Sequence, residues 1–343
     1  MTVRRNVLAI SLGCPAGIGP EVAVKAAAAA PASVTPLLVG DPAVIARAVA
    51  RAGLDLGLST VESAAELGRV PRGAVAVYAK SARLAGPAKL GRPDASAGAA
   101  QLAWVDQATD LVTAGLAGAL VTGPVSKHAI ATSGARGAAK FLGHTEHLAR
   151  RLGAREVVMA FWSRALVTAL VTTHVPIGRV PRALTAGGVA TATYWLARLL
   201  SSTGVRSPRI AVASLNPHAG EDGLLGGEEA AKIAPGIEAA KARLASERRR
   251  ARITGPLGAE TAIRKAAAGP RRSFDGVVAM AHDQATIPMK LLAFGDAVNV
   301  TLGLPIVRTS VDHGTGYDIA PRGVADPSGM IAAMQLAARL TRA

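Results

Sequence analysis

Short apolar runs rich in β-branched residues alternate with longer Ala/Leu-rich stretches along most of the chain. Val7–Leu12, Pro36–Val39, Ala119–Thr122, Val157–Phe161, Ala165–Thr172, Arg209–Leu215 and Gly276–Ala281 predict strands. Several are apolar without interruption, the pattern of strands buried on both faces of a parallel sheet. Between them, Glu21–Ala30, Ala43–Ala52, Ala99–Ala114, Ala186–Leu200, Gly227–Ala245 and Glu260–Ala268 predict helices. This alternation predicts the α/β class with a largely parallel sheet. Two segments fall outside the pattern. Residues 80–97, with Gly86-Pro87, Gly91 and Pro93, predict a loop, and residues 175–184, with Pro176, Gly178 and Pro181, predict a turn leading to a helix.

A length of 343 residues predicts one large domain or two subdomains. Half the residues are apolar, yet Phe, Trp and Tyr are scarce, so the core must be built from Ala, Val, Leu and Ile. The single cysteine, Cys14, cannot close an internal disulfide, which fits a reducing cytoplasm. Arg4-Arg5 before Val7–Leu12 imitates the front of a signal peptide, but the apolar run is short and enters a Gly/Pro loop without a cleavage pattern. No apolar run reaches the roughly 18 residues of a membrane span. The expectation is a soluble, cytoplasmic protein.

Lys and Arg outnumber Asp and Glu by 39 to 23, a formal charge of +16, which raises the question of nucleic acid. The basic residues are scattered apart from Arg248, Arg249, Arg250 and Arg252, and aromatic platforms for stacking bases are nearly absent. That cluster reads as a solvated, Arg-rich helix end. The net charge attracts anionic substrates and cofactors instead.

Candidate chemistry sits at strand ends. Gly13-Cys14-Pro15-Ala16-Gly17-Ile18-Gly19-Pro20-Glu21 follows a strand and opens a helix, a place where backbone can approach an anionic ligand. It is neither a G-x-G-x-x-G fingerprint nor a Walker A loop, and spacing alone leaves an ordinary tight turn equally open. His174, His218 and His282 each lie just past a predicted strand. In an open parallel sheet such ends share one edge, so the three imidazoles can form a divalent-metal site, with Glu221 and Asp283 beside it. Taken singly, each histidine reads better as a satisfied loop-edge residue; it is the shared strand-end position of all three that points to a common site. Asn299–Pro305 and Arg308–Thr315 crowd Asn, Arg, Asp, His and Thr into a span unusual for a core strand. Arg308 can grip a carboxylate or phosphate bidentately, or stand exposed on a turn. Gly143-His144-Thr145-Glu146 reads as a helix N-terminus.

Taken together, these segments resemble the 4-hydroxythreonine-4-phosphate dehydrogenase family of pyridoxal phosphate biosynthesis. The resemblance runs in order through Pro15–Glu21, Val121–Lys127, Gly143–Glu146, Thr172–His174, Leu215–Glu221, His282–Gln284, Val298–Pro305 and Arg308–Thr315. It implies an isocitrate/isopropylmalate dehydrogenase-like fold of two α/β subdomains with a cleft. The first would span about residues 1–125 and 305–343, the second about 126–304. It implies His174, His218 and His282 as metal ligands and His144, Thr145, Lys290, Asn299 and Arg308 as substrate contacts. His313-Gly314-Thr315 and Asp318 look like the cofactor loop of the isocitrate and isopropylmalate enzymes. Cofactors implied are NAD or NADP and one divalent ion, zinc, magnesium or cobalt, in a homodimer with active sites at the subunit interface. An acidic residue is usual where Cys14 stands, which leaves no first-loop carboxylate at that position.

The activity expected is oxidation of 4-phosphohydroxy-L-threonine followed by decarboxylation, with Asp283 or Lys290 as base. The alternatives are a related dehydrogenase of threonate or erythronate 4-phosphate, a dihydrodiol dicarboxylate dehydrogenase, a phosphate-acetyltransferase-like transferase, and a binding protein on the same scaffold.

Overall fold

The computed structural model describes residues 6–71, 73–269 and 272–342. Arg4 and Arg5 therefore lie outside the described residues, while the apolar run after them is strand β1 (Val7–Ser11). There follow α1 (Gly19–Ala28), β2 (Thr35–Val39), α2 (Pro42–Arg51), β3 (Gly57–Val61), β4 (Ala74–Tyr78), α3 (Ala95–Thr113), β5 (Ala119–Thr122), α4 (Lys127–Ala131) and α5 (His144–Leu152). The middle of the chain holds β6 (Val158–Trp162), β7 (Val167–Leu170), α6 (Val180–Ala183), α7 (Ala186–Ser202), β8 (Arg209–Ala213) and α8 (Ala234–Ser246). It continues with β9 (Arg252–Leu257), α9 (Ala259–Ala266), β10 (Gly276–Ala279), α10 (His282–Ala293) and β11 (Val298–Leu302). Last come β12 (Val307–Val311) and α11 (Ser328–Leu340). Among the described residues no helix is long and apolar enough to cross a membrane.

The chain divides into two compact units, Met1–Ala154 with Leu304–Arg342, and Arg155–Gly303. The first crossing falls at Ala154 rather than near residue 125 because α4 and α5 belong with α3. Helix α4 packs on α3. From α5, His147 donates to Asp106 at 2.6 Å and Arg151 to Asp110 at 2.6 Å, both on α3.

In the first unit the strands are ordered β3-β4-β2-β1-β5-β12 and every neighbouring pair is parallel. Both β1 and β5 are buried at every position, in keeping with their largely apolar sequences. In the second unit the order is β11-β6-β7-β10-β8-β9. There β6 runs antiparallel to β11 and β7, and the remaining pairs are parallel. The α/β class with a largely parallel sheet is as the pattern predicted.

One expectation is overturned. The polar span from Asn299 to Thr315 contains two strands, β11 and β12, and Arg308, Thr309 and Ser310 of β12 are buried. Each has a hydrogen-bond partner inside the unit, which offsets part of the desolvation penalty. Arg308 Nη2 donates to Thr122 Oγ1 at 2.6 Å, Thr309 Oγ1 to the Ala333 carbonyl at 2.9 Å, and Ser310 Oγ to the Thr122 carbonyl at 3.1 Å. Arg308 is thus a core residue and not a turn arginine. Likewise Arg252 does not end a helix but begins β9, at the end of its unit's strand order. The loop expected at 80–97 reaches Asp94, whose carboxylate accepts from Ala97 N at 2.8 Å and starts α3. The segment expected to turn into a helix at 175–184 is a 3₁₀ turn followed by α6.

An alanine-rich core permits close helix approach. A Cβ built on Gly98 of α3 would fall inside the van der Waals shell of the Ala129 carbonyl oxygen on α4, a backbone atom with no rotamer to move. Gly187 of α7 has open space around it and an ordinary φ. Gly98→Ala should therefore destabilise the protein by about 1–3 kcal/mol through overpacking. Gly187→Ala should stabilise it by about 0.5–1 kcal/mol through helix propensity. Paired thermal and urea denaturation checks both, and a neutral Gly98→Ala variant contradicts the packing.

Candidate active site

Strand order in the first unit sets the first group of residues. Neighbours β1, β5 and β12 release their loops at the same edge. The Cys14 amide donates to the Pro124 carbonyl at 2.8 Å, and the Ile18 amide to the Thr315 carbonyl at 2.9 Å. Gly13 has φ +75°, and a side chain there would collide with the backbone at Pro124, so glycine is required on both counts. Cys14 is buried with its Sγ 3.4 Å from Tyr317 Oη, and burial pushes its thiol pKa up, so it stays protonated near neutral pH. The next turn anchors the C-terminal segment. Buried Glu21 accepts from Lys25 Nζ at 2.7 Å and from the Ala325 amide at 2.8 Å. Lys25 also donates to the Gly323 and Ala325 carbonyls.

That segment begins with the expected cofactor residues. His313 Nδ1 donates to the Gly314 carbonyl at 2.9 Å, while its Nε2 is buried without a hydrogen-bond partner among the described residues. Gly314 is exposed with open space around its α-carbon. Asp318 is exposed as well. An orphaned ring nitrogen beside an uncovered glycine backbone fits a polar ligand group such as a dinucleotide's.

The second group forms at the start of α5. His144 is its first residue, with Phe141 edge-on at 6.0 Å between centroids. His144 Nε2 is buried without a hydrogen-bond partner among the described residues. Burial, then the charges of Arg308, His147 and Lys127, hold its pKa well below the ordinary histidine value, so the ring is neutral. Arg308, 3% exposed, is pulled by burial to about 9, with Glu146 acting in the opposite sense, and it remains a guanidinium at neutral pH. Thr145 follows in the first turn of α5. A buried cation, a neutral imidazole with an unused nitrogen and a nearby lysine make an environment for an anion. Lys127 carries no assigned role in the sequence reading; its place beside Gly143 is a matter of tertiary structure.

In the second unit β7, β10 and β8 are adjacent and parallel, so His174, His218 and His282 follow strand ends on one edge. The rings of His174 and His282 have centroids 5.6 Å apart, tilted by 44°. His282 Nδ1 hydrogen-bonds to the Asp283 carboxylate at 2.8 Å, an orientation that leaves Nε2 as the ring nitrogen available to a ligand. His218 opens a left-handed turn in which His218, Ala219, Gly220, Glu221 and Asp222 all have positive φ. Among the described residues no three His, Cys, Asp or Glu side chains form a metal-holding group within this one chain. Two imidazoles on one tetrahedral ion at about 2.0–2.1 Å have centroids about 5 Å apart, so the His174–His282 pair fits a shared divalent ion. His218 is not gathered with them. Lys290 is exposed in the last turn of α10, and Asn299 is half-buried on β11.

Residues 32–337 match the sequence profile of the family described as Pyridoxal phosphate biosynthetic protein PdxA. The chain is 42% identical over 336 residues to the 4-hydroxythreonine-4-phosphate dehydrogenase of Desulfosudis oleivorans, covering 97% of this chain and 95% of that protein. Its fold is similar to the crystal structure of the 4-hydroxythreonine-4-phosphate dehydrogenase from Klebsiella pneumoniae, with TM-score 0.83, 32% identity and coverage of 98% and 99%. It is also similar to a terephthalate 1,2-cis-dihydrodiol dehydrogenase from Burkholderia xenovorans LB400, with TM-score 0.66, 30% identity and 97% of each chain covered. Because the match runs through both units, the chain belongs to the PdxA family of pyridoxal phosphate biosynthetic proteins.

Proposed function

We propose that this chain oxidises 4-phosphohydroxy-L-threonine to 2-amino-3-oxo-4-phosphohydroxybutanoate, which loses carbon dioxide to give 3-amino-2-oxopropyl phosphate for pyridoxal 5'-phosphate synthesis. The observation that carries the proposal is the 42% identity, over 97% of the chain, to a relative named for this substrate. The two site groups support it, one suited to an anion and the other to a divalent ion.

When bound, NAD or NADP supplies the hydride acceptor, and zinc, magnesium or cobalt on His174, His218 and His282 supplies a Lewis acid at the C3 hydroxyl. The protein's own residues do the rest. Arg308, His144 and Thr145 hold the anionic groups of the substrate, with Lys290 and Asn299 as further contacts. His144 stays neutral, so it can bond a phosphate or carboxylate without adding a titrating charge. Asp283 or Lys290, two turns apart on α10, takes the hydroxyl proton as the C3 hydride departs. The C–C bond to the carboxylate of the β-keto acid then breaks, and its electron pair moves toward the new carbonyl, where cationic groups stabilise the charge. His313, Gly314, Thr315 and Asp318 are proposed to contact the dinucleotide. We place this work in the cytoplasm, consistent with a buried, reduced Cys14.

The active unit is proposed to be a homodimer whose sites are completed at the interface. Ile287 and Leu291 of α10 and Phe294 just past its end are exposed apolar side chains, by 57%, 81% and 86%. Apolar side chains exposed in this way mark an interaction face, and they lie on or just past the helix that His282 begins. A partner there would supply the donors that one chain does not gather.

The first test follows NADH formation with 4-phosphohydroxy-L-threonine and with D-erythronate 4-phosphate, each with and without chelator. Chelator-sensitive turnover preferring the threonine derivative is expected, and it should vanish in His218→Ala. Preference for the sugar acid would move the enzyme to another pathway, and a folded, metal-replete protein inert to both would refute the proposal. A second test is analytical ultracentrifugation. Wild type should sediment as a dimer, and Leu291→Asp with Phe294→Asp as a monomer of much reduced activity. A wild-type monomer at assay concentration contradicts the shared site.

A further inference from the structure

The strand ends that carry the three histidines are bound to one another by side chains that have no assigned role so far. On α10 the Gln284 amide oxygen accepts from the backbone amides of Met280 at 2.9 Å and Ala281 at 3.1 Å, the two residues before His282. The nitrogen of the same amide donates to the Ser214 carbonyl at 2.9 Å, on the segment that leads from β8 to His218. Thr172, between β7 and His174, donates its hydroxyl to the Met280 carbonyl at 2.6 Å, beside the backbone bond from Val171 to Ala279. Met280 is therefore the hub. Gln284 joins it to the His218 segment and Thr172 joins it to the His174 segment.

The chemistry of each link is specific. Gln284 needs one acceptor atom facing two amides and one donor facing a carbonyl, which a primary amide supplies and a carboxylate cannot. Ser214 and Thr172 are buried, so water does not readily replace a lost bond. Beyond Ser214 the arrangement continues outward. Ser214 Oγ donates to the Asn216 carbonyl at 2.8 Å. Glu229, buried on the following helical segment, accepts from the amides of Leu215 and Asn216 and from Asn216 Nδ2, each at 2.9 Å. These bonds fix the base of the left-handed turn that presents His218, a backbone conformation that L-residues rarely hold without support.

We infer that Gln284 and Thr172 are positioning residues: they hold the strand ends from which each chain presents His174, His218 and His282, and thereby set the protein's affinity for a divalent ion, whether one copy or two complete the ligand set. The inference rests on the proposed role of those histidines as ligands. Partners of this outer kind commonly change metal affinity by about 10–100-fold when removed.

The test measures zinc affinity of the full-length, chelator-stripped protein by competition with a chromophoric chelator, for wild type, Gln284→Glu and Thr172→Val. Gln284→Glu keeps both acceptor bonds at the start of α10 and turns an oxygen toward the Ser214 carbonyl, so it breaks only the bridge. It also adds negative charge near the histidines, which by Coulomb attraction alone would tighten zinc binding. Weakening by about 10–100-fold in both variants is expected, with far-UV circular dichroism and cooperative melting of the stripped proteins unchanged. Wild-type affinity in both variants, or tighter binding in Gln284→Glu with no change in Thr172→Val, overturns the inference. If Gln284→Glu fails to fold, the isosteric Thr172→Val decides alone. His174→Ala, His218→Ala and His282→Ala separate the two levels. Wild-type zinc affinity in all three refutes the histidine site itself. Loss of zinc there, with wild-type affinity in Gln284→Glu and Thr172→Val, refutes only the positioning role.

Discussion

A parallel β-ladder points its strands in one direction, so the loops that leave their carboxyl ends gather on one edge of the sheet. Two of the three candidate groups in this chain depend on that geometry. In the first unit it brings together the loops after β1, β5 and β12, which hydrogen-bond directly through Cys14, Pro124, Ile18 and Thr315. In the second it aligns the ends of β7, β10 and β8, each followed by a histidine. The antiparallel strand β6 does not disturb this, because the three strands that precede the histidines are consecutive, β7-β10-β8, on one side of it.

The two units solve opposite electrostatic problems at their strand ends. The first buries a cation. Arg308 sits on a core strand with Thr122 as a hydrogen-bond partner and keeps its charge at neutral pH, while burial and that same charge keep His144 neutral. Desolvated positive charge is costly unless matched by an anion, which makes a phosphate or carboxylate the natural complement. The second unit instead exposes lone pairs. His282 Nδ1 hydrogen-bonds to the Asp283 carboxylate, and the ring lies beside that of His174. Exposed apolar side chains, Ile287 and Leu291, lie on the same helix.

Much of this was legible in the sequence, for a physical reason. Strands buried on both faces are mostly apolar, and β1, β5, β7 and β10 announce themselves in that way. Histidines just beyond such runs were placed at one sheet edge without any knowledge of the fold, and three of them do follow adjacent parallel strands. β12 was hidden because its polar side chains find partners on Thr122 and Ala333, residues distant in sequence. Helix α10 was hidden by Pro288 in its interior and by apolar side chains that face solvent. Gln284, Thr172 and Lys127 carried no signal of their own, since the role of each depends on which backbone group or ring lies opposite it in space. The roles of Lys290 and Asn299 came only from family resemblance.

The claim on which the account stands is that His174, His218 and His282 share one ion. The most direct measurement is anomalous X-ray scattering at the zinc edge from crystals of zinc-loaded protein. The account predicts one strong peak per site, about 2.0–2.1 Å from a ring nitrogen of each of the three histidines, supplied by one chain or by two. A zinc peak bound by other residues, or three histidines with no peak at saturating zinc, would contradict it.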